Sequence, residues 1–248
     1  KGARRLYSGL VGAEVALACA LLVGAALLVR SVGQMSRTPT GVTVDDAAIT
    51  TVQLTPKVLG AEDSSSLKGW RVVSDAHARL LDEIRRQPGV VSAGASDFLP
   101  LEVGWRGPFL VDGQARPARI EDLPQVQFHS VSDGYFETMG AGMAAGRTFS
   151  AFDGPDAAAV VVVNETFARR YLADGAVGKR IRMWATNIGP LGVNLKMSQN
   201  RHEGSPFEVI GVVKDVRNMP LGQETEPALI FSTRQFPFSE VAVAVKAA

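Results

Sequence analysis

Cysteine, histidine and net charge are all scarce in this chain. Its 248 residues include one cysteine and three histidines, and 26 basic side chains stand against 25 acidic ones. A single cysteine excludes an intrachain disulfide. Cys19 lies inside an apolar run, where a thiol packs as a small hydrophobe and says nothing about redox compartment. Balanced charge without a basic stripe excludes an electrostatic nucleic-acid surface, so no nucleic acid is expected among the partners.

Catalytic patterns are missing as well. His77, His129 and His202 sit far apart; His77 falls on the apolar face of a predicted helix, where a satisfied core histidine is the expectation, and His129 alternates within a predicted strand. There is no HExxH, no cysteine pair, no acidic ladder at calcium-loop spacing and no GxSxG elbow. Gly178-Lys179 imitates a phosphate loop, but Ala173 stands where the first glycine is needed and Arg180 where the magnesium-binding hydroxyl is needed. No catalytic, cofactor-binding or metal-ligating residue is therefore assigned, and the chain is expected not to be an enzyme. Asp82, Glu83, Arg85 and Arg86 read as the solvated side of a helix, and Arg169 and Arg170 as a helix surface.

What the sequence does have is a long apolar segment, Gly9–Val32. Leu10–Val29 carries one charge over a helical length of roughly 30 Å, the thickness of a bilayer core. A signal peptide has an apolar region of only about 7–15 residues, so a transmembrane helix is the expectation. Gly12, Ala16, Ala20 and Gly24 recur every fourth position, a spacing that lets another helix approach closely in lipid; the plainer alternative is that alanine is simply abundant. Lys1, Arg4 and Arg5 against Arg30 and Arg37 place the amino end in the cytoplasm. Glu14 then lies about 7 Å into the helix, near the headgroups, where a charge costs little. It is either a tolerated interfacial carboxylate or a coupling residue at the cytoplasmic edge.

Beyond the span the chain reads as α+β with a mixed sheet. Ala47–Pro56 alternates as a strand, and a helix from Trp70 to the Pro88-Gly89 stop puts Trp70, Val73, His77, Leu80, Leu81 and Ile84 on one face. A second strand from Val90 completes a βαβ unit. Short strands are predicted at 108–113 and 118–122, then at 124–132, with a short helix at 133–140. The run 159–163 reads as a buried strand leading into a helix capped by Asn164, and further strands are predicted at 178–183, 207–217, 228–232 and 241–246. Residues 185–206 read as an insertion loop. Two regions follow: 1–38, a transmembrane helix and stalk, and 39–248, an extracytoplasmic domain with an inserted β-rich subdomain. The absence of an initial methionine and the abrupt ending read as a piece of a longer polypeptide, incomplete at its C-terminus.

Five segments occur in a recognisable order: Val131–Gly140 (VSDGYFETMG), Ala145–Phe149 (AGRTF), Val161–Leu172 (VVVNETFARRYL), Val177–Ile181 (VGKRI) and Val209–Arg217 (VIGVVKDVR). With the span before them, they resemble the extracytoplasmic core domain of MacB/FtsX-type ABC transporter permeases, in particular the large duplicated permeases of acidobacteria. GAGMAAGR departs from that family's usual aliphatic-rich GIPLLAGR, an aromatic and a proline are missing near 172–176, and the 185–206 insertion is long. The resemblance implies a permease subunit in the bacterial cell membrane, partnered by the lipid bilayer, a cytoplasmic ABC ATPase and a second permease copy or repeat. It needs no cofactor of its own and moves or releases substrates outside the membrane. In that setting Asn164 and Gly211 are structural, a helix cap and a close-packing glycine. The alternative is a membrane-anchored sensor or ligand-binding module of the same topology, which a downstream kinase, cyclase or methyl-accepting segment would mark.

Overall fold

The computed structural model describes residues 23, 27, 30, 47–53, 57–60, 67–98, 104–172, 174–183, 206–215 and 225–248. Val23, Leu27 and Arg30 are helical and exposed, while Gly12, Glu14, Ala16, Ala20, Gly24 and His202 lie outside the described residues, as does nearly all of the 185–206 insertion. Among the described residues no helix is long and apolar enough to cross a membrane. The chain divides into units 1–39 and 40–248, and the second holds the architecture that follows.

An outer layer is built from both ends of this unit. Strand β1 (Ala47–Gln53), helix α1 (Leu67–Arg85) and strand β2 (Val90–Ser96) come first in the chain, and β10 (Glu240–Ala247) comes last. The last strand lies between the first two, antiparallel to each, so β1 and β2 run parallel as a split βαβ unit. Helix α1 starts three residues before Trp70 and buries Val73, His77 and Leu81, as its periodicity predicts. Leu81 packs with Ala93, Ala95, Val241 and Val243 of the sheet. Its last turn tightens at Arg86 and Gln87, and Gly89, at φ +84°, releases the chain into β2.

Between β2 and β10 the chain closes a barrel, the β-rich insertion. Six strands form the ring: β3 (Trp105–Val111), β4 (Gln125–Val131), β6 (Val160–Asn164), β7 (Arg180–Met183), β8 (Pro206–Val213) and β9 (Ala228–Ser232). The order is β4–β3–β7–β8–β6–β9, and β9 returns to pair in parallel with β4. Each strand sends two residues, spaced by two, into the interior: Phe109 and Val111, Val126 and Phe128, Val161 and Val163, Ile181 and Met183, Phe207 and Val209, Leu229 and Phe231. The alternate residues Val160, Val162, Ile210 and Ile230 face a second apolar cluster with Phe136 and Phe149. Burial on both faces explains the unbroken VVVV of β6.

Helix α2 (Tyr135–Thr138), strand β5 (Met143–Gly146) and helix α3 (Glu165–Tyr171) complete the elements. Strand β5 lacks an apolar–polar alternation, and nothing in its sequence predicts it. The strand predicted at 118–122 is instead a single 3₁₀ turn, Ile120–Asp122. Set between Pro117 and Pro124, with Asp122 N–H bonded to Arg119 O at 3.2 Å, the segment is too short and too proline-bound to join a ladder.

Candidate functional site

The barrel and the outer layer meet where β2 passes β4, and a single backbone pairing, Ser96 with Val131, joins those two strands. Polar groups around it complete the joint. Asp97 N–H donates to Ser130 O at 3.0 Å and Ser132 N–H to Ala95 O at 2.8 Å. In return Ser130 N–H donates to Asp97 Oδ1 at 2.9 Å, and Ala95 N–H to the Ser132 hydroxyl at 2.8 Å. The VSDGYF segment carries much of this geometry. Gly134, at φ +77°, turns the chain into α2, and a Cβ there would meet an Arg85 nitrogen at 3.0 Å. Gly94 lets the Tyr135 backbone approach so closely that a Cβ would fall 2.4 Å from its Cα.

Three charged side chains brace the same joint. Arg85 reaches from α1 to Ala93 O (2.8 Å) and Asp133 O (2.6 Å). The Asp133 carboxylate lies between Arg85 (3.6 Å) and Arg234 (3.5 Å). Asp82, Glu83 and Arg86 are solvated as predicted, but Arg85 is turned inward, because the carbonyls at the end of the split layer offer its planar fork several acceptors at once. Arg169 and Arg170 remain on the surface of α3.

Asp97 is the chemically unusual group. Its side chain is 1% exposed, and Oδ2 has no hydrogen-bond partner among the described residues. Burial pushes its carboxyl up to about 8, against bonds from Ser130, Ser96 and Phe98 that favour the anion. The Ser96 hydroxyl also bonds Tyr135, whose phenol burial pushes up to about 12. His129 Nδ1 stands 3.9 Å from Asp97 Oδ1, beyond hydrogen-bond range, and burial pushes its imidazole down to about 4. The ring packs edge-on to Phe98, centroids 5.5 Å apart, and beside Gly104.

Serine, histidine and aspartate thus converge here. The Ser130 hydroxyl donates to Phe236 O at 2.6 Å, and His129 Nδ1 stands 3.9 Å from the Asp97 carboxylate. Among the described residues no cluster of histidine, cysteine, aspartate and glutamate could hold a metal ion. What the arrangement does is hold a polar seam across the two layers, with the Asp97 carboxyl buried in it.

His77 corrects an expectation. It is buried on α1 as predicted, yet neither ring nitrogen has a hydrogen-bond partner among the described residues, and burial pushes it down to about 4. Among the described residues it is a core histidine left unsatisfied. Gly178 and Lys179 form an exposed turn with Gly178 at φ +84°, outside any helix start.

The other family-like segments are built into packing. Asn164 Oδ1 accepts from Phe167 N–H and from Ala228 N–H, both at 2.9 Å, so one side chain caps α3 and ties it to β9. Asp215 accepts from Thr166 N–H (3.0 Å) and from its hydroxyl (2.7 Å) at the same helix start. In the AGRTF loop Arg147 grips Asp153 through two bonds of 2.7 and 2.8 Å. The partners hold Arg147 above and Asp153 below their ordinary values. A Cβ on Gly211 would meet Arg147 O at 2.2 Å, which makes it a close-packing glycine. Asp97, Asp133 and Arg234 carried no sequence signal beyond, for Asp133, membership of VSDGYF. Their pairing depends on contacts from distant segments.

Residues 15–248 match the family model described as MacB-like periplasmic core domain. No curated protein matches the chain. Among solved structures, the periplasmic region of MacB from Actinobacillus actinomycetemcomitans is 16% identical with a TM-score of 0.48, covering 87% of this chain and 80% of that one. The extracellular domain of the noncanonic ABC-type transporter YknZ from Gram-positive bacteria is 13% identical with a TM-score of 0.43, covering 82% and 83%. A domain of a putative permease protein from Porphyromonas gingivalis is 12% identical with a TM-score of 0.44, covering 85% and 77%.

Proposed function

The chain belongs to the MacB-like periplasmic core domain family, and from that premise we propose that it is the extracytoplasmic part, with its entering helix, of an ABC permease subunit that relays ATP-driven motion to substrates outside the membrane. The observation that carries this reading is the extent of the family match, which runs from Glu14's neighbour Val15, inside the apolar run, through the last residue of the chain. The apolar run is then a single membrane span with a cytoplasmic amino end. Gly12, Ala16, Ala20 and Gly24 pack against neighbouring helices, and Glu14 sits at the edge nearest the ATPase. Hydrolysis belongs to that partner and chemistry to no residue of this chain. The work is efflux or mechanical signalling, performed with a second permease copy or repeat.

Two measurements test the proposal. In the full-length permease with Cys19 replaced, a cysteine at Ser36 should label from outside the cell and one at Ser8 only from the cytoplasm. The reverse pattern overturns the topology. The purified permease should also stimulate ATP hydrolysis by its co-encoded ATPase; an ATPase that neither associates with it nor responds to it overturns the coupling role.

A further inference from the structure

The backbone joint between the barrel and the outer layer is thin. Strand β2 pairs with β10 over six residues, and β4 pairs with β9 over five and with β3 over four. Between β2 and β4 there is one pair, Ser96 with Val131. The N–H groups of Ala95, Asp97, Ser130 and Ser132 extend it, each donating across to the other layer. Side chains of α1 add further ties. Arg85 reaches Asp133, the Ser74 hydroxyl donates to Arg234 O at 3.2 Å, and Arg71 meets Asp156 at 2.6 Å on the surface, where an ion pair contributes little.

The Asp97 carboxyl sits within this short ladder. One oxygen accepts the Ser130 amide across the joint, whereas Oδ2 is buried with no hydrogen-bond partner among the described residues. A neutral carboxyl occupies such a position at the cost of one missing bond. A carboxylate there leaves a charge short of partners inside protein, a larger cost that water relieves. Parting the layers admits water directly, because the groups around the carboxyl come from both sides: Ser96 and Phe98 from the end of β2, His129 and Ser130 from β4.

No counter-charge stands ready in the closed joint. The titratable groups facing Asp97 are His129 of β4, with Nδ1 3.9 Å away, and Tyr135 of α2, which shares the Ser96 hydroxyl. Burial pushes the imidazole down to about 4 and the phenol up to about 12, so both are uncharged near neutrality. His77 of α1 is pushed down in the same way. The charges on the other elements around the joint are engaged or solvated. Arg85 of α1 and Arg234 beyond β9 hold Asp133, Arg106 of β3 holds Glu226, and Glu137 of α2 and Glu240 of β10 are exposed.

We propose that Asp97 is a protonation-controlled catch between the barrel and the outer layer: its neutral carboxyl holds the β2–β4 seam shut, and its ionisation lets the two layers part there. The direction follows from linkage. The closed seam holds the proton to about 8 and an opened, wetted one loses it near 3.8, so opening becomes easier as pH rises between those values. His129 opposes this between about 4 and 6.5, where wetting favours its protonation. From about 6.5 to about 8 Asp97 acts alone.

Amide hydrogen exchange on the detergent-solubilised full chain, corrected for intrinsic exchange rates, tests the catch. The N–H groups of Ala95, Asp97, Ser130 and Ser132 should be less protected than those of Val161–Val163 and less sensitive to added denaturant, the signs of a partial opening. Their opening should increase roughly 10-fold between about pH 6.5 and about pH 8. Asp97→Asn keeps an acceptor for Ser130 N–H and cannot ionise, so the seam should then open equally at both values. His129→Gln should keep the rise and extend it to lower pH. Seam amides as protected as Val161–Val163, a wild-type seam indifferent to pH over this range, or an Asp97→Asn seam that still loosens overturns the proposal. A rise that disappears in His129→Gln overturns it too, by assigning the catch to the histidine.

Discussion

At the scale of single residues, three buried groups govern how stability responds to pH. Asp97 keeps its proton in the folded domain to about 8, whereas an unfolded aspartate loses it near 3.8. Between those values the folded state binds more protons than the unfolded chain, so this group's contribution to stability falls as pH rises from about 4 to about 8. Asp97→Asn keeps an oxygen for Ser130 N–H and cannot ionise. Thermal melts should show it more stable than the wild type at pH 9, by on the order of 2–4 kcal/mol, with the gap closing towards pH 4. His77 and His129 act in the opposite sense. Each takes up a proton only near 4 when folded and near 6.5 when unfolded, so stability falls as pH drops through that window. His77→Leu fills the site without two orphaned nitrogens. Denaturant titration should show a gain of about 1–3 kcal/mol at pH 7 and a larger one at pH 5; a loss at pH 7 would mean that the ring nitrogens are satisfied after all.

At the scale of elements, Asn164 shows how one side chain serves two structures. It caps α3 at Phe167 N–H, accepts from Ala228 N–H at the head of β9, and donates to Glu226 O at 2.9 Å. Asn164→Ala should cost about 2–4 kcal/mol in chemical denaturation, more than a surface cap, because buried N–H groups of Phe167 and Ala228 and the part-buried Glu226 carbonyl lose their partner together. Asn164→Asp keeps the acceptor and loses the donor, so it should recover part of that loss. The cap itself was legible in the sequence as an asparagine between a β-branched run and ETFARRY. The bond to β9 was not, since 64 residues separate the partners. The same distinction applies to Arg85. Helical periodicity assigns it to a charged face, and only the carbonyls of Ala93 and Asp133 explain why it points inward.

At the scale of the whole molecule, the barrel and the outer layer share one short seam but differ in how their strands are covered. Strands β6 and β9 are buried along their whole length, whereas β1 is an outermost strand with exposed positions at Ala48, Ile49 and Thr50. Amide hydrogen exchange should therefore report the global unfolding free energy at Val161–Val163 and Leu229–Phe231, and markedly faster opening at Thr50–Gln53; equal protection across these strands would contradict a layered hierarchy. The sequence by itself determined the α+β composition, the βαβ opening, most strand positions and the absence of familiar catalytic motifs, because periodicity, caps and turn residues act over a few residues. Its ordered segments also pointed to the family. Tertiary structure alone decided that six strands close into a ring, that β10 enters between β1 and β2, that 118–122 is a turn and 143–146 a strand, and that Asp97, His129 and Tyr135 share one buried seam. Each of those outcomes depends on pairings between residues far apart in the chain, where local propensity carries no information and the burial of both faces of a strand settles the arrangement.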